Sequence, residues 1–397
     1  MDDTHKKKIM HDAYSPNAIS NLDDFFSYTQ DIGSAAQAGS NLLYGMNHSK
    51  IGGYVPVNKD TQGFVFFTRP MLNLSDRNLY RDRTFMNLLT EDRKSVQSYV
   101  RSTLDPSLYA FSPESTQSLM VDPKMSFIPA LSNSILSLSG WPDVVAPVYT
   151  SKQGVRKEQW SIIDGTTEIN ESFDIDASFK NMADEPISML FRTWINYAAS
   201  VFDGTLVPYN GMQARNEIDY TTRIYRLVMD STETYVKKIA CTIASFPLND
   251  PTGKFFDYDR KQQYMDKTKE LNIRFKCMGA LYDDDIIIKW FNTAGSYCNP
   301  AINDIVKANY QLANTHSYDK IPRALLSKFK HRGYPIINTN TYELEWWIDK
   351  NSTAYKDVVS NLYNTAKDSI YGTDVSIYDP VNNNLDKIKN KILHSNN

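Results

Sequence analysis

Asp283-Asp284-Asp285 is the first place to look for chemistry, because a divalent cation takes clustered carboxylates. The triplet lacks the spaced donors of an EF-hand loop, and consecutive side chains converge on one ion only through a tight turn. A solvated turn that caps the helix after it asks less of the backbone. Asp174 and Asp176 lie two apart and could pass for an acid–base pair. They alternate with Phe173, Ile175 and Ala177, so the wet face of a strand, or a channel lining, accounts for them better than catalysis does.

The six histidines, His5, His11, His48, His316, His331 and His394, are dispersed, with none four residues from another and none beside a cysteine. That spacing gives zinc no site. No Walker or dinucleotide glycine pattern occurs, and no nucleophile elbow. Lys152 to Lys157 with Arg156 is a small basic patch that reads as a solvated linker. Trp346-Trp347, beside Glu343 and Glu345, could form a sugar platform. Neighbours on a strand face opposite ways, so one core and one interface tryptophan is the expectation. No catalytic residue, metal or cofactor is expected, and the chain reads as a structural or binding protein rather than an enzyme.

The 397 residues are enough for two or three domains with real cores. A net charge of -3 carries no overall signature of nucleic-acid or anionic-membrane binding. Lys6-Lys7-Lys8 precedes no apolar run, and nothing approaches the roughly 18 apolar residues of a membrane span. The cysteines Cys241, Cys277 and Cys298 form no CxxC pair, which suits a reducing cytoplasm. The 25 tyrosines fit protein interfaces as well as the codon bias of an AT-rich genome.

These signals must be positioned by elements whose periods are legible. Residues 1–60 are polar and read as an arm, and 61–150 as a mixed strand and helix segment. Gly63 to Pro70 is a short strand ended by proline. Phe85, Leu88 and Leu89 make a short helical stripe, and Met125 to Ser139 is helix-capable until Gly140-Trp141-Pro142 breaks it. Gln159 to Ile163 is a strand, and Phe173, Ile175, Ala177 and Phe179 alternate strictly. Asp184 or Glu185 should cap a helix with Pro186 in its first turn, whose stripe Ile187, Leu190, Phe191, Trp194, Ile195, Ala198 and Val201 ends at Gly204. Strands follow at Tyr220 to Met229 and at Tyr235 to Ile243. Leu271, Ile273, Phe275 and Cys277 then alternate with Asn272, Arg274 and Lys276, the pattern of a half-buried antiparallel strand. A helix is expected around Ile286 to Phe291. Residues 297–397 read as mainly helical (Ala301 to Lys330, Thr353 to Ile370), with a polar end from Asn382 to Asn397.

The succession of strand, helix, two strands, a corner at Phe246-Pro247, a polar excursion through Asn249-Asp250-Pro251 to Tyr264, and an alternating strand resembles the tail-tube fold of contractile-tailed bacteriophages. The phrase Phe66-Phe67-Thr68-Arg69-Pro70 with Leu72-Asn73-Leu74 is similar to one found in structural proteins of large phages. The resemblance implies an α+β chain: a central antiparallel β-sandwich that can form a barrel, at 151–296, with a flanking helix and helical additions at both ends. It implies a virion structural protein of the tail tube, or of the ring joining the tube to the baseplate or neck. Such a protein is assembled in the host cytoplasm as a homo-oligomeric, hexameric ring with other tail proteins, and DNA is only passing cargo. Phe246, Pro247, Asn249, Pro251, Trp194 and Tyr264 are then the expected structural or intersubunit residues. A sheath, neck or head-associated component is the alternative, and a virion-borne hydrolase a further one.

Overall fold

The computed structural model describes residues 62–111, 117–230, 232–258, 260, 269–302, 317–322, 325–326, 329 and 333–360. The predicted arm and the polar C-terminal end lie outside them. Among the described residues the central feature is a six-stranded antiparallel sheet. Its strands are β1 (Gly63–Phe67), β2 (Ile135–Ser139), β5 (Ile169–Lys180), β6 (Ile224–Met229), β7 (Val236–Pro247) and β8 (Glu270–Tyr282). They run in the order β1-β6-β7-β8-β5-β2. Two further short strands, β3 (Val148–Thr150) and β4 (Ser161–Ile163), pair with each other and, among the described residues, with no other strand. The sheet draws strands from both sides of residue 150.

Alternation sets which face is buried. Ile175, Ala177 and Phe179 of β5 stand opposite Phe275, Ile273 and Leu271 of β8, and all six are buried. Val65 and Phe67 of β1 and Ile224 of β6 join them on the same core. Four helices serve this framework: α1 (Val96–Leu104), α2 (Pro129–Ser134), α3 (Pro186–Phe202) and α4 (Asp285–Tyr297). The apolar stripe of α3 closes that core with Ile187, Leu190, Phe191 and Trp194, each fully buried. Burying side chains of this size contributes roughly 1.5–3 kcal/mol apiece. The opposite face of β1, β6 and β7 is covered by a second core, where Tyr225, Leu227 and Cys241 meet Ile287 and Phe291 of α4.

The sheet is nearly closed. Thr68 bridges Phe127, and the Ile128 amide donates to the Phe67 carbonyl at 2.9 Å on the β1 side. The same segment then passes through α2 into β2, the far edge. The architecture is thus a mixed helix and strand fold built on one large antiparallel sheet.

Three expectations change. Met125 to Ser139 is not one helix: α2 occupies only its middle, and Ile135–Ser139 is the edge strand β2, paired with β5. Pairing with a waiting strand overrides local propensity there. The segment 297–397 is not mainly helical among its described residues. It carries a three-stranded sheet of β9 (Tyr318–Lys320), β10 (Tyr334–Ile337) and β11 (Leu344–Asp349), although 353–360 is helical as expected. That small sheet is tied to β7 through the Tyr235–Glu343 bridge. Finally, Glu185 takes the N-cap position of α3 in a left-handed conformation (φ 53°), with its side chain making no bond to the first-turn amides. Pro186 and the buried stripe carry that helix instead.

Candidate assembly surface

The corner residues of the sequence reading form an internal joint. Phe246 meets Tyr220 edge-on with ring centroids 5.8 Å apart, and Pro247 ends β7 opposite Phe275. Beyond the proline no strand continues, and Asn249 takes over the pairing with its side chain. Its Oδ1 accepts from the Arg274 amide at 2.6 Å and its Nδ2 donates to the Asn272 carbonyl at 3.1 Å. Asp250 accepts from the Ser188 hydroxyl of α3 at 3.0 Å, and burial pushes its carboxyl above the usual range. Pro251 starts the short helix Thr252–Phe256. Tyr264 lies outside the described residues. Trp194 is fully buried, donates its indole N–H to the Tyr220 carbonyl at 2.8 Å, and stacks on Phe191. Its position is inside the core.

The carboxylate triplet diverges. Asp283 sits at φ 48° and accepts from the Ile239 amide at 2.9 Å, Asp284 caps α4 through the Ile286 amide at 2.9 Å, and Asp285 accepts from the Tyr342 hydroxyl at 2.9 Å. Three partners in three directions hold the turn together. Among the described residues no group of three or more His, Cys, Asp or Glu side chains is placed to hold a metal ion. Among the described residues no helix is long and apolar enough to cross a membrane. Trp346 and Trp347 both pack within the chain: Trp346 meets Phe64 at 6.1 Å, and Trp347 is buried with its N–H on Glu345 at 3.0 Å.

Asp174 and Asp176 do occupy the wet face of β5. Each is paired across the sheet, Asp174 with Lys276 and Asp176 with Arg274, both at 2.8 Å.

The surface that sequence reading missed is the β3–β4 ribbon. Val148 faces Ile163 and Tyr149 faces Ile162 across it, and every residue of both strands is exposed. Val144, Val145, Val155 and Trp160 beside them are exposed too. Its tip is closed by the Ser151 amide on the Trp160 carbonyl at 2.9 Å and the Gly154 amide on the Glu158 carbonyl at 3.0 Å. A two-stranded ribbon is marginal alone in water, and this one is apolar on both sides. The signal was available: apolar runs flank a polar, glycine-bearing tip, which is hairpin grammar. Reading residues 152–157 as a linker hid it.

The chain matches the family described as "putative phage tail tube protein" over residues 8–362. No curated protein matches. Among solved structures it is similar to the tube-terminating cap of the anti-feeding prophage, with 12% identity, a TM-score of 0.25, and coverage of 40% of this chain and 82% of that one. A likeness that slight adds no argument of its own. The family match spans most of the sequence, and on it the chain belongs to the phage tail tube family, with a structural role in the phage tail.

Proposed function

We propose that this protein is a ring-forming subunit of the tail tube, or of the ring that joins the tube to the baseplate or neck, and that it works by assembly rather than catalysis. The observation that carries this reading is the β3–β4 ribbon, whose two apolar faces are both exposed in the single chain. Covering both faces takes a partner that wraps the ribbon, which a neighbouring subunit supplies in a ring. The sheet also ends in two edge strands, β1 and β2; Phe127 and Ile128 of the same chain already pair with the Phe67–Thr68 end of β1, and joining copies at β2 extends the ladder. The assembled ring, hexameric by the symmetry the tail-tube resemblance implies, surrounds a channel for DNA. It forms in the host cytoplasm and ends in the virion beside other tail proteins.

The test is the oligomeric state of the purified protein, by light scattering and negative-stain electron microscopy. Rings or tubes with a central channel are expected, and Trp160→Asp with Ile162→Asp should abolish them without lowering the melting temperature of the subunit. A stable, compact monomer at high concentration refutes the proposal.

A further inference from the structure

Arg69 follows β1 closely and is almost wholly buried. Its guanidinium closes the C-terminal end of α1: Nε donates to the Thr103 carbonyl at 2.8 Å and Nη2 to the Ser102 carbonyl, while Nη1 donates to the Met125 carbonyl at 3.0 Å. A cation is favoured there, because a helix C-terminus carries about half a negative charge. Closing the helix still leaves a surplus. A guanidinium has five N–H donors, and these bonds use one on each nitrogen, so Nη1 and Nη2 each keep one unengaged. Among the described residues no carboxylate bonds to Arg69, and a buried charge without its counter-charge is costly. A cavity of about 100 Å³ opens beside this group, with Arg69, Thr103, Met125, Phe127 and Pro129 among its walls. That is several times the space one water needs. Thr103 is buried, and its Oγ1 meets no hydrogen-bond partner among the described residues. Capping α1 explains neither that hydroxyl nor the cavity.

We propose that this cavity is a binding site for one carboxylate group, held by the unengaged Nη donors of Arg69 and by the Thr103 hydroxyl. A carboxylate supplies the missing negative charge and accepts from all of these donors, and hydrogen bonds between ionised groups of this kind are the strong ones. The surroundings favour a monoanion. Asp122 also lines the cavity, with Oδ1 accepting from the Lys124 amide at 2.9 Å and Oδ2 from the Tyr334 hydroxyl at 2.7 Å. Its charge repels a phosphate dianion more strongly than a carboxylate. The side chains of Met125, Phe127 and Pro129 have no donors to offer the additional oxygens of a phosphate. The carboxylate can come from a small free acid or from an acidic side chain of a second copy. The cavity lies within one chain, so the inference does not depend on the ring reading.

The test is isothermal titration of the full chain with sodium acetate, against sodium chloride at equal ionic strength. It is run on dissociated protein (dilute, or carrying Trp160→Asp with Ile162→Asp) and on concentrated protein. One saturable acetate site per dissociated chain is expected, with inorganic phosphate binding more weakly. Arg69→Met risks unfolding the end of α1, so the decisive variant is Thr103→Val, which removes only an unpaired hydroxyl. Its melting temperature should not fall, while its acetate affinity should drop at least about tenfold, the loss of one hydrogen bond to a charged group. A site open in dissociated protein and closed in concentrated protein is filled by a carboxylate of a second copy, and a site open in both takes a free one. No acetate binding beyond that of chloride in dissociated protein means that water alone fills the cavity, and overturns the inference. Equal acetate affinity in the Thr103→Val chain, or tighter binding of phosphate than of acetate, overturns it as well.

Discussion

Trp194→Ala tests the core on which the assembly surface is mounted. The indole is fully buried, lies 6.3 Å from the Phe191 ring at 9° between planes, and donates to the Tyr220 carbonyl at 2.8 Å. Truncation leaves a cavity beside Phe191 in the main core and strands the Tyr220 carbonyl. Large-to-small changes of this type cost about 3–5 kcal/mol, and the lost donor places this site toward the upper end of that range. Against a typical stability of about 5–15 kcal/mol, the loss is a large fraction of what holds the chain folded. At about 2–4 °C per kcal/mol for a domain of this class, the melting temperature should fall by roughly 10 °C or more. Circular dichroism, which does not depend on the deleted fluorophore, is the assay. Trp194→Phe reduces the packing loss: it keeps an aromatic ring while losing the donor and part of the indole's volume, and should cost less than the alanine change, about 1–3 kcal/mol. An unchanged melting temperature in the alanine variant would mean that the α3 stripe does not carry the core, and that Trp194 serves an interface instead.

Asp105 gives a pH test. It is fully buried, accepts from the Leu74 amide and the Tyr209 hydroxyl at 2.8 Å each, and burial pushes its carboxyl up to about 6. Because the folded value lies above the unfolded one, the stability this group contributes is full below about pH 4 and is lost as pH rises through about 6. Relative to Asp105→Asn, the wild type should therefore gain about 1 kcal/mol between pH 7 and pH 5, read by urea titration at each pH. Asp284→Ala should cost about 1 kcal/mol through the lost cap of α4, with no turnover on peptidoglycan or DNA to lose in the triple asparagine variant at 283–285. Metal-dependent hydrolysis that vanishes in the triple variant would promote the enzyme reading. Gly140→Ala should destabilise measurably by thermal melt, since Gly140 sits at φ 105° and an added Cβ would lie 2.4 Å from the Asp174 carbonyl.

Sequence by itself determined the parts of this protein that local period governs. Strict alternation at Phe173 to Phe179 and at Leu271 to Cys277 specified two strands and their buried faces, because a period of two leaves one register that hides every apolar side chain. The stripe from Ile187 to Val201 specified α3 for the same reason at period 3.6. The order of these elements was enough to suggest the tail-tube family. Tertiary structure alone decided how the pieces meet. Ile135–Ser139 became a strand because β5 offered an edge, a contact that no local window contains. The Asp284 cap of α4 was legible as a turn before a helix, but the partners of its two neighbours were not: Ile239 engages Asp283 and Tyr342 engages Asp285 from 44 and 57 residues away. The exposed outward residues of β5 and β8, Asp174 and Asp176 among them, and the uncovered β3–β4 ribbon exist only as differences between what neighbouring elements cover and what they leave open. Coverage is a property of long-range packing, which the pattern along one strand does not encode.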